Sequence, residues 1–117
     1  MSNISQFCLT FPPTSKYTVT PVGSVATINV GVRRLNKLTV SGNLTINPSN
    51  PPQAGIICIT ILDMYNAGNY VLTFDSNFEW SGGVVPTFSK TAWDRLVLTT
   101  DDGVKTWIHV ADKNFVI

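Results

Sequence analysis

The sequence YVLTFDSNFEWSGGVVPTFSKTAWDRLVLTTDDGVKTW, residues 70–107, decides the fold of this chain. Two runs of alternating apolar and polar residues flank a loop that contains Gly82, Gly83 and Pro86. A second turn, Asp-Asp-Gly at residues 101–103, leads into a further alternating run. Because successive side chains of a strand point to opposite faces, this pattern predicts β-strands joined by tight turns.

The chain before this stretch shows the same alternation. Residues 25–32 carry four apolar residues on one face, which is typical of a strand. Residues 35–40 and 44–46 flank the turn at 41–43, so they form either a hairpin or a pair of segments in different sheets. Residues 56–62 are apolar on both faces, and this predicts a central strand that is buried on both sides.

Six to nine short strands, with turn residues between them and no helix of useful length, predict an all-β fold. We expect an antiparallel β-sandwich or a jelly-roll-like domain over residues 22–117. Residues 1–21 are expected to form an extended N-terminal arm, because Pro12 and Pro13 cannot donate to a sheet ladder. We expect the first ten residues to contact a partner and the later half of the arm to form an edge strand.

The composition excludes several classes of partner. Charged residues make up only 13% of the chain, the net charge is +1, and no long basic run occurs. We therefore expect no nucleic-acid partner and no membrane partner. A low charged fraction suits a surface that is covered by copies of the same chain, although a β surface rich in Thr, Ser and Asn has the same composition.

The cysteines and the N-terminus bear on the compartment. Cys58 lies in an apolar run, Cys8 lies near the N-terminus, and no secretory signal is recognisable. These features predict synthesis in the cytoplasm and free thiols, although a bridge between the two cysteines is compatible with the sequence.

The sequence contains no recognisable constellation for chemistry. His109 is the chain's single histidine, and a lone histidine is more often structural than catalytic. Two cysteines 50 positions apart do not have zinc-ligand spacing, and Asp101 and Asp102 lack the rest of a calcium-loop pattern. We therefore expect no catalytic residues, no metal ligands and no cofactor.

The large aromatic residues leave two interpretations open. Phe78, Trp80, Trp93 and Trp107 could form a platform for stacking a sugar, or they could fill the core or a subunit interface. We favour the core or interface, because buried aromatic area dominates packing energetics. If Trp107 is buried, its truncation to Ala should cost about 3–5 kcal/mol.

Part of the chain resembles a structural module of tailed-bacteriophage virion proteins, found in tail fibres and related components. The matching pieces are Ser-Asn-x-x-Trp-x-Gly-Gly-x-x-Pro at residues 76–86, Asp-x-Leu at 94–96, Thr-Asp-Asp-Gly at 100–103 with Trp107, and Asn-Phe at 114–115. The resemblance covers roughly the last half of the chain. Ile108 and His109 depart from the aromatic or glycine expected after the tryptophan.

This resemblance implies a non-enzymatic virion protein, made in the cytoplasm of the host bacterium and located in the virion. It also implies an oligomer, with a homotrimer as the common form. Since the chain shows no repeat, heptad or shaft, we expect a capsid decoration (cement) protein that binds the major capsid protein or other virion proteins. The alternative is a tail-fibre or receptor-binding tip that recognises a host surface glycan. The expected interface residues are Phe7, Leu9, Phe11, Trp80, Gly82, Gly83 and Trp107.

Overall fold

The computed structural model describes residues 8–10 and 16–115, and strands dominate this part of the chain. The strands are β1 (Leu9–Thr10), β2 (Lys16–Thr18), β3 (Val25–Asn29), β4 (Val32–Arg33), β5 (Leu35–Thr39), β6 (Leu44–Ser49), β7 (Cys58–Tyr65), β8 (Leu72–Phe74), β9 (Phe78–Trp80), β10 (Trp93–Thr100) and β11 (Thr106–Phe115). Single 3-10 turns lie at Ala67–Asn69 and Ser81–Gly83. The prediction of an all-β fold is confirmed.

Strands β2, β3, β5, β6, β7 and β8 alternate between two sheets and wind as stacked coils, while β1 and β4 form a separate two-stranded sheet. The six-stranded sheet has the order β2-β5-β7-β10-β11-β9, and the three-stranded sheet has the order β3-β6-β8. Strands β2, β5 and β7 pair in parallel, and so do β3, β6 and β8. This arrangement is a short parallel β-solenoid, in which each coil adds one strand to each sheet.

The coils have unequal lengths, which explains why no repeat is visible in the sequence. In the six-stranded sheet the register advances 19 residues from Lys16 to Leu35 and then 26 residues from Leu35 to Ile61. The extra length of the second step lies between β6 and β7, where the proline-rich segment runs. A loop of this kind can lengthen without disturbing the ladders that it connects.

The expectation of antiparallel sheets is wrong for most of the molecule. Among the strands of residues 8–10 and 16–115, only β10 forms antiparallel ladders, with β7 on one side and β11 on the other. Two sheets do enclose a common core, but their strands do not follow the connectivity of an antiparallel sandwich or jelly roll. Of the two alternatives for β5 and β6, the structure has the sheet-switching pair, since these strands lie in different sheets.

The core lies between the inner faces of the two sheets. Ile28 and Ile46 of the three-stranded sheet are fully buried, as are Leu38, Leu62 and Leu98 of the six-stranded sheet. Parallel pairing in register stacks like residues above one another, so each coil contributes apolar side chains to one continuous cluster. Complete burial of such a side chain contributes roughly 1.5–3 kcal/mol.

The described part of the predicted arm is joined to the body of the protein. Strand β1 pairs in parallel with β4, and β2 pairs in parallel with β5, as expected for an edge strand in the later half of the arm. Cys8 forms a disulfide with the buried Cys58 of β7, so the expectation of free thiols is wrong. The sequence does not reveal this bridge, because the two cysteines lie 50 residues apart. Only the stacking of the coils brings them together.

Reduction of the Cys8–Cys58 disulfide should lower the free energy of unfolding by about 4 kcal/mol, because the bridge closes a long loop and restricts the unfolded chain. Urea unfolding with and without reductant measures this difference. The variant Cys8→Ser serves as the control, and its stability should not respond to reductant. Rapid reaction of two thiols in the native, unreduced protein would contradict the assignment.

Candidate functional site

The outer face of the six-stranded sheet is the candidate functional surface. It consists of four rows of side chains that run across the strands and point away from the core. The cross-strand register gives the rows as Ile59–Thr99–Trp107–Glu79, Leu35–Ile61–Val97–His109, Lys37–Asp63–Arg95–Asp112 and Thr39–Tyr65–Trp93–Phe115. The first two rows are mainly apolar, the third is charged and the fourth is mainly aromatic.

Local sequence explains how β7 and β10 build this face. In β10 buried and partly exposed residues alternate without interruption, so one set of side chains enters the core and the other forms the outer face. In β7 the prediction of burial on both sides is wrong, because Ile57 and Ile59 are 65% and 42% exposed. The strand also runs on to Tyr65, three residues beyond the predicted segment 56–62.

A buried carboxylate lies at the centre of the face. Asp63 is fully buried, and Arg95 donates to both of its carboxylate oxygens, from Nε at 2.8 Å and from Nη2 at 2.9 Å. Lys37 Nζ lies 3.9 Å from Asp63 Oδ2 on the other side. The hydrogen bond to Asp63 raises the pKa of Arg95, so the guanidinium stays charged.

Cationic side chains cover the neighbouring aromatic row. The rings of Tyr65 and Trp93 are 5.3 Å apart, and Lys37 Nζ lies 4.5 Å from the centroid of the Trp93 ring. Arg95 Cζ lies 5.2 Å from the centroid of the Phe115 ring. Each of the two cations therefore contacts both Asp63 and an aromatic ring, which fixes its position on this half of the surface.

The apolar half of the face remains open to solvent. Trp107 is 40% exposed, so of the two places left open for it, core or interface, it does not fill the core of this chain, and its place in an interface stays a prediction. Alternation in β11 places Thr106 and Ile108 inside instead, and these two residues are fully or almost fully buried. Exposed large apolar residues that share a sheet face with Trp107 are typical of an interaction surface.

The structure does not bring Trp80, another of the predicted interface residues, to this face. Trp80 lies on the opposite side of the sheet, because its neighbour Glu79 is the register partner of Trp107. Its ring packs edge-on against Phe74, with centroids 4.8 Å apart, and also contacts Phe88. Phe78 is buried in the same cluster, so the four aromatic residues do not form one platform.

The glycine pair forms a tight, exposed turn directly after β9. Gly82 and Gly83 both have φ of 75°, a conformation that other residues rarely adopt. Open space surrounds the position of a Cβ at either residue, so the requirement is conformational rather than steric within this chain. The predicted tight turn is confirmed, and the approach of a neighbouring subunit stays a prediction.

The remaining predicted interface residues belong to the N-terminal arm. The backbone of Leu9 pairs with Val32 in the ladder between β1 and β4, so at this position the arm contacts its own chain. The predictions for Phe7 and Phe11 lie outside the described residues.

Sequence reasoning missed Asp63 and Arg95, the two residues that organise the face. Asp63 lies just beyond the predicted strand 56–62, and aspartate is rare in strands. The signal that identifies it is the alternation Ile59, Ile61, Asp63, Tyr65, which continues the strand by three residues. Arg95 lies in the next long strand, β10, on the face set by the same alternation. An arginine at such a position is the expected partner of a buried carboxylate.

Within the described ranges, 8–10 and 16–115, no group of three or more His, Cys, Asp or Glu side chains is placed to hold a metal ion. In the same part of the chain no helix is both long and apolar enough to cross a bilayer. His109 is exposed at the end of the second row, and no hydrogen bond joins it to a described acidic or nucleophilic side chain.

Comparison of the chain with protein-family models, with curated proteins and with solved structures finds no match.

Truncation of Trp107 and of Trp80 should have opposite consequences for the monomer. Trp107→Ala should change the free energy of unfolding by about 1 kcal/mol or less, because the indole lies on the open face. Trp80→Ala should cost about 3–5 kcal/mol, because it removes a ring from the aromatic cluster. Urea unfolding at low protein concentration measures both, and a larger loss for Trp107→Ala than for Trp80→Ala would show that the faces are assigned wrongly.

Proposed function

We propose that this protein is a non-enzymatic structural protein of a bacteriophage virion, and that it decorates and stabilises the capsid as an oligomer. The resemblance of residues 76–86 and of the later motif pieces to virion modules supports the class of protein. The open outer face of the six-stranded sheet supports assembly, and this is the single observation that carries the proposal.

Apolar exposure on the outer face supports a buried contact in the assembled state. Ile59 and Trp107 are exposed in one row, on either side of Thr99, and the partly buried Ile61 and Val97 lie in the next row. A soluble monomer rarely presents a contiguous apolar patch of more than a few hundred Å². A rigid tryptophan that is exposed on a sheet face is a common anchor of such a contact.

The charges of the face favour another copy of the chain, or a neutral protein surface, as the partner. The charged row contains two cations, Lys37 and Arg95, and two carboxylates, Asp63 and Asp112, so the face offers no strong field of one sign. The chain as a whole carries a net charge of only +1, and copies therefore repel one another weakly. A ring of three copies that meet through this face would give the proposed homotrimer, on which the major capsid protein or another virion protein can dock.

The disulfide supports a working location outside the reducing cytoplasm. Disulfides persist on virions and in other oxidising environments, whereas thiols in the bacterial cytoplasm are kept reduced. A chain that is made in the host cytoplasm and released in a virion would form the Cys8–Cys58 bridge after assembly or lysis.

A tail-fibre or receptor-binding tip is the second candidate, and the aromatic row favours it. Tyr65 and Trp93 lie side by side on the open face, next to polar groups of Lys37 and Arg95. Aromatic rings beside hydrogen-bond donors can stack and orient a sugar. In this case the face would contact a host surface glycan.

Binding to undecorated phage heads and to host cells, measured in parallel, tests the proposal. Saturable binding to heads at a fixed number of copies is the expected result. Trp107→Glu should abolish this binding because it places a charge at the centre of the apolar rows. The matched control is Val71→Glu, which adds the same charge at a 67% exposed position beside the three-stranded sheet and should bind normally.

Two outcomes would count against a capsid role. Binding to cells and not to heads would assign the protein to the tail and make Trp93 the next residue to change. Equal binding of heads by Trp107→Glu and by the wild type would remove the outer face from the contact.

A further inference from the structure

A second feature, at the open end of the solenoid, goes beyond the proposed structural role. Strands β2 and β3 are the first strands of their sheets, and a cleft of about 280 Å³ lies beside them. Its polar lining comes from Tyr17, Thr20, Thr27, Asn29, Arg34 and Ser49. This volume is at the lower end of the range for small-molecule sites, so it suits a ligand of about one sugar ring.

Arg34 is held rigidly at this cleft. Its Nε donates to Asn36 Oδ1 at 3.1 Å, and its Cζ lies 3.6 Å from the centroid of the Tyr17 ring. Asn36 is itself fully buried and donates to the backbone carbonyl of Ile61 at 3.0 Å. The guanidinium plane is therefore fixed by stacking and by a buried amide, while its two terminal nitrogens are not used in these contacts.

Arg34 has no Asp or Glu partner in the part of the chain that the structure describes. All seven acidic residues lie in the described part of the chain, and none of them forms an ion pair with this guanidinium. Arg95, by contrast, is paired with Asp63 through two hydrogen bonds. Burial lowers the pKa of Arg34, because it removes water from around the guanidinium and no acidic side chain compensates for that loss.

We propose that this cleft binds a carboxylate-bearing monosaccharide unit, with the carboxylate on the terminal nitrogens of Arg34. One planar guanidinium matches one carboxylate in charge and in two-point geometry, whereas a phosphate dianion would need further positive charge. The hydroxyl groups of Thr27 and Ser49 and the amide of Asn29 line the cleft and suit the hydroxyl groups of a sugar ring. Asn29 Oδ1 already accepts from the backbone N–H of Gly31, so this side chain is oriented before a ligand arrives.

Titration of the full-length protein with sodium glucuronate and with N-acetylneuraminate, followed by NMR, tests the proposal. Saturable shifts are expected at Arg34 Nε–H and at the amides of Thr27, Asn29 and Ser49. The methyl ester of each sugar keeps the ring and removes the charge, and it should bind about 10- to 100-fold more weakly. Acetate keeps the charge and removes the ring, and it should also bind more weakly than either sugar acid.

Matched variants distinguish binding at this cleft from nonspecific attraction of an anionic ligand to positive charge. Arg34→Gln should weaken binding of the sugar acids by about 10- to 100-fold, while Arg33→Gln, the same change at the exposed neighbour, should leave it unchanged. Asn29→Asp keeps the acceptor for the Gly31 N–H and adds a negative charge to the cleft, so it should abolish binding even if Arg34→Gln fails to fold. Equal affinity of acid and ester, equal effects of the two arginine variants, or no saturable binding by the wild type would overturn the proposal.

Discussion

Parallel backbone pairing between successive coils is the constraint on which the rest of the structure depends. Thr45 of β6 is the partner of Val25 on one side and of Thr73 on the other, and Leu35 of β5 is likewise the partner of Lys16 and Ile61. Each coil must therefore place one strand in each sheet at a fixed register. This requirement directs the alternate apolar residues of both sheets toward each other and closes one core between them.

The antiparallel hairpin β10–β11 ends the parallel series and creates the outer face. Strand β10 pairs with the last parallel strand, β7, and β11 extends the same sheet to β9. The result is a six-stranded sheet that is much wider than its three-stranded partner, with one face on the core and the other open. On the open face, Arg95 and Lys37 cover the buried Asp63, and these contacts stabilise the polar half of the face. Trp107 and the exposed isoleucines form the apolar half, which is available for contact.

The sequence predicts the positions of most strands, but not how they pair. Alternation with a period of two identifies β3, β5, β10 and β11, yet it contains no information about the direction of a partner strand. The position of Trp107 shows the same limit, because the alternation in β11 separates Trp107 and His109 from Thr106 and Ile108 without saying which set is inside. The disulfide, the buried Asp63 pair and the Arg34 cleft join positions that are distant in sequence, so they become visible only once the coils are stacked.

The most direct test of this account is an NMR measurement of backbone proton contacts around Thr45 in isotope-labelled protein. The parallel coils predict contacts from Thr45 to Val25 and its neighbours on one side and to Thr73 and its neighbours on the other. A hairpin of residues 35–40 and 44–46 would instead give contacts between Leu44 and Val40 across the turn. Observation of the hairpin contacts, with none between Thr45 and either predicted partner, would contradict the solenoid and with it the outer face.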